Sequence, residues 1–215
     1  MECLNCANNI NVIEILTFLV ALAAAVIAWF CFRRDHKRSR RELSVDLIFK
    51  WTTNLDKRAS LARKYVEQLD EKQTRCLENQ EEVRFNPSDK ELCYNIKKLL
   101  NTNIKQPNTK SRCKCEFRDS KNLFLTVEES SELRWLIVNY LNILESVLVA
   151  WQHRIADDSI IEQELKYLFD LANGKDILKK YRIAAGSENS YPAIEVFYNH
   201  LEKKRRKNLK RKWRT

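Results

Sequence analysis

Glycine and proline are almost missing from this chain: two glycines, Gly174 and Gly186, and three prolines, Pro87, Pro107 and Pro192, in 215 residues. Tight β-hairpins and phosphate-cradling loops rely on glycine for positive φ, so neither is expected to organise the fold. Glycine-rich phosphate loops, nucleophile elbows, HExxH and repeated CxxC pairs do not occur. An enzyme is therefore the least expected class, and no cofactor is expected. The histidines, His36, His153 and His200, are scattered. Cys113-x-Cys115 has no second pair to complete it, with Cys76 and Cys93 lying elsewhere, and structural zinc sites repeat their pair. No metal is expected, and the cytoplasmic cysteines are read as free thiols.

Charge is missing from Ile15 to Phe32, where Thr17 is the one polar residue. With Ile10 to Ile13 ahead of it, this run approaches the roughly 20 apolar residues that span a bilayer as a helix. A buried helix of a soluble protein would show polar positions every third or fourth residue. Residues 10–32 are thus expected to form a single transmembrane helix, with Trp29 and its neighbouring phenylalanines near an interface. Met1 to Ile10 holds no Lys or Arg, whereas Arg33, Arg34, Lys37, Arg38, Arg40 and Arg41 follow the run, opposed by Asp35 alone. Basic flanks stay on the cytoplasmic side, which puts residues 1–9 outside and the rest in the cytoplasm. A cleaved signal peptide would carry its positive charge before the run and small residues after it, and neither is found. Cys3 and Cys6 would then face outside, with nothing to decide their state.

Acid is missing from the end of the chain. Lys203, Lys204, Arg205, Arg206, Lys207, Lys210, Arg211, Lys212 and Arg214 surround Trp213 without a single Asp or Glu. Of the formal charge of +10, the run 33–41 holds +5 and the tail 203–215 holds +9, which leaves −4 for everything else. The domain expected over 42–202 is thus mildly acidic between two basic ends, without the basic face of a nucleic-acid-binding fold.

What fills that domain reads as all-α. Leu43, Leu47, Ile48, Trp51, Leu55, Ala59, Ala62, Val66 and Leu69 step by three and four residues, predicting one long amphipathic helix. With no Gly or Pro between 11 and 86, the anchor is expected to continue into it as a stalk and to fray near Glu78 to Arg84. Ser88 with Glu91 predicts a capping box for a helix through Leu92, Ile96, Leu99, Leu100 and Ile104. Residues 107–125 read as the longest loop. Thr126 with Glu129 caps a core helix whose stripe runs from Leu133 to Trp151, and Ser159 with Glu162 caps its expected antiparallel partner. A brief helix around Ile177 to Tyr181 and a last one from Pro192 complete a helical bundle, before the chain dissolves into the basic tail.

The run Val138-Asn139-Tyr140-Leu141-Asn142-Ile143-Leu144-Glu145, followed by Ala150-Trp151-Gln152-His153-Arg154-Ile155-Ala156-Asp157, resembles the central motif of a bacterial family catalogued as domain of unknown function 4760. The resemblance implies an N-terminal membrane helix, a basic stop and a cytoplasmic helical domain in the bacterial inner membrane. It implies no activity.

Four sets of residues remain as candidates. Asn139, Asn142 and Glu145 lie three apart on one flank and could join Arg134 or His153 in a polar cluster, read first as structural. The acids Asp157 and Asp158 suit the positive end of a helix dipole better than acid–base work. The two basic segments suit anionic lipid first, with nucleic acid and plain solvation as the other options. Ala21, Ala24, Ala25 and Ala28 form a small-residue face through which anchors could associate. The expected function is a membrane-tethered binding protein, an adaptor or sensor with a protein partner or a second copy of itself. A membrane-acting effector of a phage-defence or toxin system is the alternative, and tail-mediated nucleic-acid binding comes last.

Overall fold

A computed structural model describes residues 3–55, 57–101, 123–169, 176–186 and 190–212. The fold is all-α. Its helices are α1 (Cys3–Asn54), α2 (Lys57–Val66), α3 (Glu71–Glu78), α4 (Lys90–Asn101), α5 (Val127–Gln152), α6 (Asp158–Leu165), α7 (Lys179–Ala184) and α8 (Pro192–Lys212). Two antiparallel residue pairs, Val83 with Leu125 and Arg84 with Phe124, make strands β1 (Val83–Arg84) and β2 (Phe124–Leu125). They tie the segment after α3 to the start of α5.

The core is built on α5, whose chief neighbours are α2 and α8. Leu133, Leu136, Ile137, Leu141, Leu144 and Leu148 are fully buried on it. Its start follows the sequence: the Thr126 hydroxyl accepts from Glu129 N, and the Glu129 carboxylate accepts from Thr126 N. Each partner satisfies an amide the helix leaves unpaired.

The stalk is continuous, as the absence of glycine and proline implied. Helix α1 runs unbroken for 52 residues, and it begins at Cys3, so residues 3–9 are helical too. It does not continue to Leu69. The chain turns back after Asn54, and Trp51 on α1 and Arg63 on α2 both lie against the Tyr140 ring, at 5.1 and 5.9 Å. A straight helix would carry Leu69 about 27 Å beyond Trp51, past the start of α5, which lies about 20 Å from Tyr140. Reversal lets both halves of the stripe cover one helix, and that gain in burial breaks α1 without a breaker residue.

Several expected boundaries move. Glu78 to Arg84 is ordered: α3 starts at a capping box of Asp70 with Gln73, and its end is closed by Glu81 N bonding to Cys76 O, with Gln80 at φ 58°. Ser88 does not cap α4. A 3-10 turn over Pro87–Asp89 leads into that helix, and the Ser88 hydroxyl bonds Asp89 instead. Helix α6 is capped by Asp157, two residues before Ser159, and it packs mainly on α1 rather than antiparallel to α5. Residues 203–212 do not dissolve into a tail but continue α8 as helix. Cys113, Cys115, nearly all of the expected loop, Trp213 and Arg214 lie outside the described residues.

Candidate functional site

The apolar half of α1 packs on nothing. Every side chain from Glu14 to Ser39 is exposed, with Phe18 at 67% and Phe32 at 69% of their free area. The uncharged run from Ile15 to Phe32 is about 27 Å long as a helix, close to the hydrocarbon thickness of a bilayer. Its one hydroxyl is satisfied within the helix, since Thr17 Oγ1 donates to Glu14 O at 2.8 Å. A helix long and apolar enough to cross a membrane therefore stands near the N-terminus. Ala21, Ala24, Ala25 and Ala28 share one exposed face of it.

Past this run the basic residues begin. Arg33 stacks over the Trp29 ring at 5.8 Å, and Arg38 pairs with Glu42 at 2.8 Å. Arg34 and Lys37 make no ion pair among the described residues. Arg40 is the first side chain to reach the packed body. Its Nη2 and Nε donate to Ala156 O at 2.6 and 3.2 Å, and Nη2 lies 3.5 Å from Asp158 Oδ1. One turn on, the buried Ser44 hydroxyl donates to Arg40 O and accepts from Asp157 N at 2.6 Å. Arg41 lies 3.5 Å from Asp157. The Asp157 carboxyl, held first by the Ser159 hydroxyl, sits below its ordinary pKa. These contacts fix the direction in which α1 leaves the body.

The polar residues proposed on α5 do not meet as a group. Asn142 faces solvent and Asn139 is half-buried. Glu145 reaches α8 instead, where its two oxygens accept from Ala193 N at 2.8 Å and Ile194 N at 3.0 Å. It thereby caps a helix from another element. Arg134 joins Glu78 of α3, its Nη2 2.8 Å from the carboxylate and its Nε bonded to Glu78 O. The Tyr181 phenol is pushed well up by burial and then by Glu78, and burial raises Tyr191 in the same way.

A second buried group was not legible at all. Arg182, 3% exposed, donates to Ile177 O at 3.1 Å and to Glu195 at 3.2 Å, and lies 2.5 Å from Asp176. It ties α7 to the first turn of α8. Its members lie within 20 residues of one another, but their spacing matches no motif and the contacts depend on how the start of α7 meets α8. Ser44 did leave a trace: it is a polar residue on the stripe of Leu47, Ile48 and Trp51.

Each of these groups holds one element of the fold against another. A hollow of about 490 Å³ is lined by Asp70, Gln73, Cys76, Glu81, Arg84 and Phe85 among others. Asp70 and Gln73 are already engaged in the α3 cap, and Gln73 also bonds Arg84 O. The Cys93 thiol is raised by burial, which favours its unreactive form. No three His, Cys, Asp or Glu side chains come together as a metal site among the described residues.

The basic end of the chain is ordered helix, with Lys203 to Lys210 all exposed. Lys204 pairs with Glu162, which also meets His200 at 2.8 Å, and Arg206 pairs with Glu202 at 2.7 Å. Lys203, Lys207 and Lys210 make no ion pair among the described residues. The backbone of Arg211 and Lys212 belongs to the same helix. No protein family, no curated protein and no solved structure matches this chain.

Proposed function

We propose that this is a single-pass protein of the bacterial inner membrane, N-terminus outside, whose cytoplasmic helical bundle binds other molecules without catalysing a reaction. The observation that carries the reading is α1. One uninterrupted helix joins a fully exposed apolar run to a packed body, with a one-sided cluster of bases at the border. Apolar surface of that extent in water would drive aggregation, and a bilayer removes the cost. The charge asymmetry supports the orientation. The use of Arg134, Glu145 and Arg182 to tie helices together supports a binding role, and resemblance to domain of unknown function 4760 fits the same architecture. The body then acts as an adaptor or sensor.

The test is purification of the full chain from gently solubilised membranes. Recovery of one defined protein in fixed stoichiometry, reproduced with the two purified components, is the expected outcome. Recovery of this chain alone as a homo-oligomer would sink the adaptor reading.

That second result would favour an effector acting on the bilayer itself. The face of Ala21, Ala24, Ala25 and Ala28, exposed along α1, supports close approach of several anchors. Expression would then dissipate the membrane potential, and Ala24→Leu or Ala25→Leu would restore it.

A further inference from the structure

Two basic segments some 160 residues apart in sequence leave the body at the same end. The register of three helices establishes this. Helix α8 runs parallel to α5: Glu145 meets its first turn, and Trp151 packs on Phe197 and His200 at 4.8 and 5.1 Å. Helix α1 runs antiparallel to α5, with Ser44 at Asp157 and Trp51 at Tyr140. The apolar run of α1 and the free end of α8 thus point the same way.

Helix α6 braces both. Its cap and first residue, Asp157 and Asp158, hold Arg41 and Arg40, while Glu162, one turn further on, holds His200 and Lys204. These three acids thereby hold the two helices side by side. Exposed and without an ion pair among the described residues are Lys203, Lys207 and Lys210 on α8, and Arg34 and Lys37 on α1. From His200, level with the end of α5, α8 extends about 18 Å to Lys212. From Arg40, at the same level, α1 needs about 10 Å to reach Arg33, where the uncharged run begins. Lys207 therefore stands at about the height at which α1 becomes apolar, with the last turn of α8 beyond it.

We propose that this end of the body is a two-part cationic platform, formed by α8 beyond Leu201 and by residues 33–41 of α1, that docks on the anionic headgroups of the bilayer α1 enters. The inference rests on the anchor reading above and adds to it the lipid class and the orientation of the body. A charge is felt in physiological salt over about 8 Å, so bases held at headgroup height are attracted whereas bases elsewhere on the body would not be. Two contacts on separate helices hold the body upright, where a lone anchor would let it swing. Nucleic acid is disfavoured by the same geometry, because the bilayer occupies the space in front of this end.

Amide hydrogen exchange of the full chain in nanodiscs tests the idea, with phosphatidylglycerol-rich discs set against phosphatidylcholine discs. Amides of 203–212 project beyond the packed body and exchange readily when nothing holds them. They are expected to slow about tenfold in the anionic discs only. Amides of 193–201, which pack on α5, should not change. High salt, or the triple variant Lys203→Gln, Lys207→Gln, Lys210→Gln, should abolish the slowing. Equal rates in both lipids would overturn the platform, and slowing in neutral discs only on addition of single-stranded RNA or duplex DNA would overturn it in favour of nucleic acid. Amides of 15–32 report separately on the anchor: rapid exchange there in both lipids would refute the membrane span and the platform with it, whereas protection there with an unchanged tail refutes the platform alone.

Discussion

Helices α1 and α5 both pass a test of length and hydropathy for crossing a membrane, yet they sit in opposite surroundings. No side chain in the apolar window of α1 is buried by the protein, while nearly half of that of α5 is. They differ in mean hydropathy, 2.6 against 1.4, and in how their polar residues are placed. Helix α5 keeps Arg134, Asn142 and Glu145 at intervals that face solvent or other helices, and its start is capped by Thr126 and Glu129. The apolar run of α1 has no such positions. Periodicity, together with mean hydropathy, thus separates a helix covered by the protein from one left bare by it.

Placing the same charge in each helix breaks this comparison most sharply. Leu141→Arg puts an unpartnered cation in the core and is expected to cost more than about 4 kcal/mol, abolishing the cooperative melting of the body in circular dichroism. Leu22→Arg, in the middle of the apolar run, should leave that melting intact. It should instead reduce the share of chain recovered with membranes, at a cost of about 3 kcal/mol at mid-bilayer. The next largest effect lies in the body. Arg182→Met leaves Asp176 buried without its paired cation and is expected to lower stability by about 3–5 kcal/mol in urea titration, without changing membrane recovery.

Alkaline pH sharpens the contrast further. Burial raises the Tyr140 and Tyr181 phenols above their ordinary value of 10.0. Both are neutral in the folded and unfolded chain below that pH. Above it the unfolded chain ionises first, so stability is lost as pH rises past 10. The midpoint of thermal unfolding should fall between pH 9 and 11, as the ordinary tyrosine value implies, and Tyr181→Phe should flatten the fall. The smallest effects belong to the seams. Ser44→Ala strands the Asp157 amide at the junction with α1, for about 1–3 kcal/mol. Glu145→Ala uncaps α8 for about 1–2 kcal/mol and should speed exchange at Ala193 and Ile194 ahead of the rest of that helix.

Much of the fold could be read in the chain. The stripe from Leu133 to Trp151 and the Thr126 cap rest on spacing within a few residues, and the start of α8 on the fixed φ of Pro192, although Glu145 of α5 completes that cap. The Ser88 and Ser159 caps failed because hydrogen bonds to closer partners, Asp89 and Asp157, won. The candidate trio on α5 came apart for a different reason. Side chains three apart share a flank, but neighbouring helices decide which of them is engaged, and α8 took Glu145 while Asn142 was left to water.

By itself the sequence determined the all-α class, the apolar run of α1, the basic segments and the unbroken passage from one into the stalk, because each follows from periodicity, charge or the lack of a breaker along a single stretch. Only the tertiary structure decided that α1 turns back after Asn54, that Arg182 is buried with Asp176, and that the two basic segments leave the body together. Those outcomes depend on which helix faces which, and that is settled by burying the most apolar surface around α5 while giving every buried charge a partner, a condition on the whole chain that no local pattern records.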